Sequence, residues 1–328
     1  MACSGDEPCL LSALDSHSGA GQFIVISKVN MKPKILIVVG QTGVGKSALT
    51  VRLAELFGGE VISADSRQVY RGLDIGTGKI SQREMRGIPH HLLSIVNPKK
   101  TFTVNDYQRL ATAALQDTLA RKKLPIICGG SGFYIDALLK PGLLPPVPPN
   151  EALRKTLQKK SPRELILILQ KLDPERAKAI DQHNARRIVR AIEIAKKLGT
   201  VPPHENTPKP YHVLHIGLTL PDEELKQRLR ERLNERIKQG MVREARKLHA
   251  RGLSWKRMEE LGLEYRYLAQ YLGGTMTKKK MIDGLGREIW RYAKRQKTWF
   301  KKNRDIKWFH PNDYRSIEKA VSGFLKPA

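Results

Sequence analysis

The sequence predicts an α/β fold, a doubly wound parallel sheet that carries a small all-helical insertion. Short runs of apolar and β-branched residues alternate with segments whose apolar residues recur at helical spacing, as expected for strand–helix–strand units. A glycine-rich loop at 40–47 joins the first of these strands to the first helix. Two proline-rich stretches, 141–149 and 201–210, enclose a purely helical pattern.

The proline-rich stretches also predict how the chain is divided into domains. Proline interrupts helices and central strands, so such stretches are typical of semi-rigid connectors between packed units. We therefore predict a P-loop-containing α/β core formed by 31–144 and 211–328. The material between the connectors, 145–210, is predicted to be a helical insertion domain.

The first thirty residues differ from the rest of the chain. They lack a basic start followed by a long apolar segment, which argues against a secretory signal peptide. Met31-Lys32-Pro33 then leads directly into the first predicted strand. We predict that 1–30 is a disordered or spurious extension and that Met31 is the natural start.

The loop after the first strand, predicted at 35–39, predicts the first ligand. Its glycines let backbone N–H groups turn toward phosphates, its lysine adds positive charge, and its serine hydroxyl binds Mg²⁺. The helical spacing of Leu49 and Leu53 after the loop supplies the required strand–loop–helix context. The predicted diphosphate ligands are Gly40, Thr42, Gly43, Val44, Gly45, Lys46 and Ser47, with Ser47 also the metal ligand.

Two further strands bring polar residues to the same place. The strand predicted at 60–64 ends in Asp65-Ser66-Arg67-Gln68, and the strand at 124–128 ends in Gly129-Gly130-Ser131. Ligands of open parallel sheets collect beyond the carboxyl ends of the strands, so both segments are expected beside the phosphate loop. We also predict a strand at 90–95, a helix at 104–119 and, in the loop 72–79, a backbone suited to an anion.

The remaining elements are rich in cations. One apolar face of the insertion leaves Arg186, Arg187 and Arg190 on another face. After a strand at 211–220, a long helix stacks Arg228, Arg232 and Arg236 at a spacing of four residues, where they repel one another unless an anion lies nearby. A last long helix, predicted at 284–302, interleaves aromatic residues with cations, and a final strand is predicted at 306–309.

The overall charge predicts a large polyanionic partner. Lys and Arg number 59 against 32 Asp and Glu, which gives a net charge of +27. Residues 221–328 contain 28 basic and 14 acidic residues, far more cations than one diphosphate needs. The three cysteines lack metal-ligand spacing and indicate a reduced, cytoplasmic location, and no run reaches the roughly 18 apolar residues of a membrane span.

Six ordered motifs resemble the bacterial-type tRNA dimethylallyltransferases. The matching segments are Gly40–Ser47, Asp65–Tyr70 with Asp74–Thr77, His90–Leu92, Gly129–Tyr134, Arg187–Glu193 and Ala293–Phe300. The resemblance implies transfer of the dimethylallyl group from dimethylallyl diphosphate to the exocyclic amine of the adenine at position 37 of tRNA, next to the anticodon. It implies that Asp65 accepts the amine proton, that Arg232 binds the diphosphate and that Ser131 lies near the bridging oxygen.

The resemblance also implies the remaining partners. Mg²⁺ is the expected cofactor, the anticodon stem-loop of tRNA and dimethylallyl diphosphate are the expected ligands, and we expect a monomer. Contacts with tRNA are predicted for Asp65, Ser66, Arg67, Gln68, Ser131, Arg154, Arg186, Arg187, Arg190, Lys294 and Arg295.

The sequence departs from the family pattern at four places. Gln41 replaces a usual proline, Ser131 a usual threonine, and Asp181-Gln182-His183-Asn184 a usual His-Pro-Asn-Asp stretch. Glu264 lies in a segment where the family carries Gly-Tyr. From the residues alone, three alternatives remain open. They are a P-loop kinase of a small metabolite, a nucleic-acid-binding NTPase, and a prenyltransferase that acts on free adenine nucleotides.

Overall fold

The computed structural model describes residues 32–140, 142–202 and 210–327. The predicted extension 1–30 lies outside these residues. The described strands are β1 (Lys34–Gly40), β2 (Gly59–Ser63), β3 (His90–His91), β4 (Leu124–Cys128), β5 (His212–Leu218) and β6 (Ile306–Phe309). The described helices are α1 (Lys46–Phe57), α2 (Gln82–Met85), α3 (Val104–Ala120), α4 (Gly132–Leu139), α5 (Glu151–Leu157), α6 (Pro162–Leu172), α7 (Pro174–Ala179), α8 (Ala185–Leu198), α9 (Asp222–Gln239), α10 (Met241–Ala250), α11 (Trp255–Glu260), α12 (Leu263–Leu272), α13 (Lys278–Phe300) and α14 (Tyr314–Leu325).

The described strands form one parallel sheet in the order β3-β2-β4-β1-β5-β6. Alternate residues of β1 belong to two different apolar clusters: Leu36 and Val38 pack in one, and Ile35 and Ile37 in the other. Both faces of the sheet are therefore buried, as is usual for parallel sheets. The predicted α/β fold with a parallel sheet is confirmed.

The strand register brings the predicted site segments together. Val38 of β1 and Ser63 of β2 both lie opposite Cys128 of β4. The phosphate loop, the segment after β2 and the segment after β4 therefore leave the sheet at the same edge, as the sequence predicts.

The third strand is much shorter than predicted, because only His90 and His91 pair with β2. Leu92 and Ser94 have φ angles of 63° and 53°, in the left-handed region that ends an extended strand. The next residues bond to the turn after β2 instead, with the N–H of Ser94 donating to Gln68 O at 3.0 Å. The residues after β3 thereby hold the turn after β2, which carries Asp65.

The insertion has an apolar core of its own. Buried residues of α5, α6, α7 and α8 form a separate cluster that includes Leu165, Leu169, Ile188 and Ile192. The helical content predicted for this segment is present, and its division from the core as a domain stays a prediction.

The last long helix, α13, begins at Lys278 and not at residue 284 as predicted. The side chain of Thr277 caps its start by accepting a hydrogen bond from the N–H of Lys280. Near its other end, Lys297 Nζ lies 2.6 Å from Asp222 Oδ1 at the start of α9. This ion pair therefore links α13 to α9, the helix that carries Arg232.

Gly129 allows the ends of β2 and β4 to approach closely, and we predict that Gly129→Ala is destabilising. A Cβ at this position would overlap the carbonyl oxygen of Ala64, which is backbone and cannot turn aside. We expect a loss of about 1–3 kcal/mol in the free energy of unfolding, measured with urea. The control is Gly323→Ala in α14, where nothing lies within 4 Å of the added Cβ and a gain of about 0.5–1 kcal/mol is expected. Equal stability of the two variants would contradict the packing argument.

Candidate active site

The phosphate loop has the backbone of an anion-binding turn. Gly40, Gly43 and Gly45 have φ angles of 143°, 84° and 99°, which side-chain-bearing residues rarely adopt. Lys46 begins α1 and folds back over the loop, with Nζ donating to Gly40 O at 3.1 Å and to Gln41 O at 2.7 Å. The lysine ammonium is therefore held over the cradle that the glycines form.

Lys46 links the groups on either side of the loop electrostatically. Burial lowers the pKa of Lys46 to about 8, a shift that Cys128 and Asp65 oppose and Arg232 reinforces. The ammonium therefore interacts with both the carboxylate at the end of β2 and the arginine of α9. These are the two residues that the sequence predicts to act with it.

Asp65 is positioned by its own turn. Its Oδ1 atom accepts hydrogen bonds from the N–H groups of Arg67 at 2.8 Å and Gln68 at 3.4 Å. The next residue, Ser66, donates its N–H to Ser131 Oγ at 3.1 Å. The segments after β2 and β4 are thereby joined, and Asp65, Ser66 and Ser131 lie together as predicted.

Arg232 reaches the phosphate loop from α9. A Cβ added at Gly43 would lie 3.5 Å from Arg232 Nη1, and one added at Gly78 would lie 3.2 Å from Nη2. Partial desolvation and the neighbouring Arg236 and Arg228 lower the pKa of Arg232. Both Arg232 and Ser47 line an open cleft of about 1340 Å³. Ser47, the last residue of the phosphate loop, and Arg232 therefore face the same open space.

The predicted anion site in the loop 72–79 is already filled by a carboxylate of the protein. Glu244 of α10 accepts hydrogen bonds from the N–H groups of Asp74, Ile75 and Gly76 at 2.8 to 2.9 Å. It also accepts the Tyr265 hydroxyl at 2.6 Å. The prediction that this backbone suits an anion is right in kind, but the anion is Glu244.

Arg236 and Glu264 form the wall beside this loop. Arg236 Nη1 donates to Gly76 O at 2.7 Å and lies 3.5 Å from Glu264 Oε1. Burial raises the pKa of Glu264, whereas Arg236 opposes that shift. The carboxylate that departs from the family pattern is therefore paired inside the protein and does not stand alone before an incoming nucleic acid.

Two insertion arginines have internal partners. Glu193 of α8 has a buried side chain that accepts hydrogen bonds from Arg154 Nε and Nη2 at 2.8 and 2.9 Å and from Arg190 Nη1 at 3.2 Å. Arg190 also donates to Val147 O at 2.7 Å. A carboxylate one helical turn from Arg190 thus holds both guanidinium groups in the fold, and the contact of Arg154 and Arg190 with tRNA stays a prediction.

The other predicted cations are exposed. Arg186 and Arg187 lie on the open face of α8, and Lys294 and Arg295 lie on the open face of α13. Lys294 Nζ lies 5.7 Å from the ring centre of Trp290. These four side chains are therefore accessible to solvent, and their contact with tRNA stays a prediction.

Gln296 is a functional candidate that sequence reasoning did not single out. Its side chain lies on the buried face of α13 between Ala293 and Phe300, and only 5% of the residue is exposed. Its Oε1 atom accepts the N–H of Thr42 at 2.7 Å, and its Nε2 atom donates to Gly130 O at 3.0 Å. A polar residue that interrupts an apolar helix face is the signal that could have revealed it.

The parallel sheet and the glycine-rich loop after its first strand together define a P-loop α/β protein. The model of the IPP transferase family matches residues 68–303. The chain belongs to this family.

Curated relatives and solved structures agree with this assignment. The chain is 45% identical to a tRNA dimethylallyltransferase 2 of Treponema denticola over 83% of this chain and 92% of that protein. It is 40% identical to a tRNA dimethylallyltransferase of Halalkalibacterium halodurans over 86% of this chain and 93% of that protein.

Two solved structures share the fold over most of the chain. The full-length tRNA isopentenylpyrophosphate transferase from Bacillus halodurans is 36% identical, with a TM-score of 0.69 over 90% of this chain and 97% of that chain. A eukaryotic dimethylallyltransferase acting on tRNA is 26% identical, with a TM-score of 0.73 over 89% of this chain and 77% of that chain. Among the helices of the described ranges, none has the length and apolar character needed to cross a membrane.

The Glu244 contacts predict that Glu244→Gln is destabilising. An amide would turn a donor toward backbone N–H groups that now meet a carboxylate. We expect a loss of about 1.5–3 kcal/mol in the free energy of unfolding, measured with urea. The matched control is Glu175→Gln on α7, whose side chain is 84% exposed and pairs only with Lys178, so a change below about 0.5 kcal/mol is expected. Similar losses in both variants would contradict the role given to Glu244.

Proposed function

We propose that this protein transfers a dimethylallyl group from dimethylallyl diphosphate to the exocyclic amine of the adenine beside the anticodon of tRNA. The observation that carries the proposal is the position of Lys46, whose Nζ lies over the glycine-rich loop, bonded to Gly40 O and Gln41 O, and within electrostatic reach of Asp65 and Arg232. Membership of the IPP transferase family and relatives described as tRNA dimethylallyltransferases support the same reaction.

The donor half of the site is suited to a diphosphate leaving group. The bond between the allylic carbon and the bridging oxygen breaks while the bond from the amine nitrogen to that carbon forms. Lys46, Arg232 and the loop N–H groups other than that of Thr42, which donates to Gln296, offset the negative charge that develops on the departing diphosphate. Ser131 is proposed to donate a hydrogen bond from its hydroxyl near the bridging oxygen.

The acceptor half must overcome a weak nucleophile. The lone pair of an adenine exocyclic amine is delocalised into the ring, so its attack depends on positioning. Once the new bond forms, the nitrogen carries an extra proton, which we assign to the Asp65 carboxylate. Ser66 and Gln68 are proposed to contact the edge of the base after it leaves its stack.

Mg²⁺ is proposed to accompany the diphosphate. The hydroxyl of Ser47, exposed at the start of α1 and lining the open cleft, is the kind of oxygen ligand that this cation accepts. In the described part of the chain, no group of three or more His, Cys, Asp or Glu residues is arranged to hold a metal. Phosphate oxygens and water would therefore supply the rest of the coordination, and bound Mg²⁺ would offset charge on the leaving group.

The exposed cations are proposed to bind the anticodon stem-loop. Arg186 and Arg187 of α8, with Lys294 and Arg295 of α13, would contact its phosphates, and Arg67 would lie near the base.

A monomer is sufficient for this arrangement, and the cytoplasm, where tRNA is available, is the proposed location. The alternative, a P-loop kinase of a small metabolite, finds no support among the relatives.

The reaction is tested by incubating the protein with labelled dimethylallyl diphosphate and unmodified tRNA, with AMP as a control acceptor. We expect prenylated adenosine in tRNA by mass spectrometry and none in AMP. Asp65→Asn should lower kcat by about 10²–10⁴-fold, the range for a lost general base, with tRNA affinity little changed. Prenylation of AMP alone, or turnover of ATP without prenylated tRNA, would reject the proposal.

The pKa of Lys46 predicts how donor binding depends on pH. The protonated ammonium attracts the diphosphate, so affinity is retained below pH 8 and falls as the pH rises through that value. The fall approaches tenfold per pH unit, since neutral Lys46 must then take up a proton to bind. The Lys46→Arg variant stays positively charged over the whole pH range, so its profile shows how titration of the ligand alone changes the affinity. Donor affinity is measured by calorimetry between pH 7 and 9.5. If it changes in parallel for the unaltered protein and Lys46→Arg, Lys46 does not take part in donor binding.

A further inference from the structure

We propose that Gln296 is a positioning residue that couples tRNA binding on α13 to diphosphate binding in the phosphate loop. This inference rests on the proposed function and adds a residue that works through two loops and does not touch the reacting atoms. It also predicts a property that a simple packing role would lack. Occupation of one substrate site should change the affinity of the other.

The side-chain amide of Gln296 bridges two segments that follow different strands. Thr42 belongs to the phosphate loop after β1, and Gly130 precedes Ser131 after β4. Gln296 contacts the first with its oxygen at 2.7 Å and the second with its nitrogen at 3.0 Å. The bond to Gly130 is buried and the bond from Thr42 is partly buried, so breaking either leaves the buried Gln296 amide with an unpaired polar atom.

The bridge is tightly confined. Gly130 has no side chain, and a Cβ there would overlap Gln296 Nε2. The Ser131 that follows accepts the N–H of Ser66, so the same segment supports the turn that holds Asp65. A shift of Gln296 would therefore move the cradle and the turn that carries the predicted proton acceptor together.

The opposite face of the same helix carries the cations proposed for tRNA. Lys294 and Arg295 directly precede Gln296 and are exposed, whereas Gln296 points into the protein. Lys297 follows and pairs with Asp222 of α9, the helix that carries Arg232. One rigid turn of helix thus connects the tRNA surface, the phosphate loop and the helix of the diphosphate-binding arginine.

If RNA favours one position of α13, the contacts of Gln296 couple the RNA-binding surface to the diphosphate site. Binding energy then shifts the helix toward the position in which Gln296 holds Thr42 and Gly130 at their bonded distances. The diphosphate meets a loop that has already been ordered, so its affinity rises. Linkage requires that diphosphate raise RNA affinity by the same factor.

The test measures the affinity for inorganic diphosphate with Mg²⁺ by calorimetry, with and without a saturating unmodified anticodon stem-loop RNA. For the unaltered protein we expect the RNA to increase this affinity by about 5-fold or more, the lower range of typical couplings. Gln296→Met keeps the volume and loses both hydrogen bonds, so the ratio should fall to about 1. Gln296→Glu keeps the acceptor for Thr42 and loses the donor to Gly130, and should give an intermediate ratio.

Two controls separate coupling from general damage. Thr298→Ala changes an exposed residue of the same helix and should leave the ratio unchanged. Gly130→Ala displaces the Gln296 amide from the other side and should lower the ratio without altering Gln296 itself. If Gln296→Met fails to fold, the Gly130→Ala and Gln296→Glu variants still decide the question.

A ratio near 1 in the unaltered protein, or an unchanged ratio in folded Gln296→Met and Gly130→Ala, would overturn the coupling. Failure of the proposed function gives a different result, because the unaltered protein would then form no prenylated RNA. Prenylation with an unchanged ratio in the variants would reject the role of Gln296 alone.

Discussion

The site depends on the partly buried ammonium of Lys46 and its hydrogen bonds to the phosphate loop. A cation removed from water must be compensated, and here the carbonyl oxygens of Gly40 and Gln41 do so. The lowered pKa shows that this compensation is incomplete. The unmet part of the charge is what a diphosphate can satisfy, so the same desolvation that weakens the free lysine strengthens its attraction for an anion.

Elsewhere the chain satisfies its own charges before any ligand arrives. Glu244 occupies the backbone N–H groups of the loop 74–76, and Glu193 occupies Arg154 and Arg190. Each arrangement resembles a ligand site in sequence because the residues suit an anion, and each is closed by an internal carboxylate. The contrast identifies the open site: in the described ranges, Arg232 beside the phosphate loop has no such hydrogen-bonded carboxylate, and the open cleft reaches it.

Sequence reasoning succeeded where local pattern decides the structure. The strands at 124–128 and 306–309 have their predicted bounds, because a short apolar run between turn residues has few other solutions. The predicted length of the third strand was wrong because Leu92 and Ser94 take left-handed backbone angles. The sequence does not indicate this, since leucine and serine rarely adopt such angles. The partner of Arg154 was missed because Glu193 lies far along the chain. Such contacts depend on how helices pack, and spacing within one helix does not reveal them.

The two faces of α13 explain why a protein with a small donor site carries so much positive charge. Its buried face follows the apolar period except at Gln296, which accepts the N–H of Thr42 in the phosphate loop. Its exposed face has no such constraint and can be devoted to cations. Because one face of α13 packs against the phosphate loop, the side chains on its other face lie within about a helix diameter of that loop. A tRNA bound to these cations, as proposed, would be held close enough to the phosphate loop for one of its bases to enter the site.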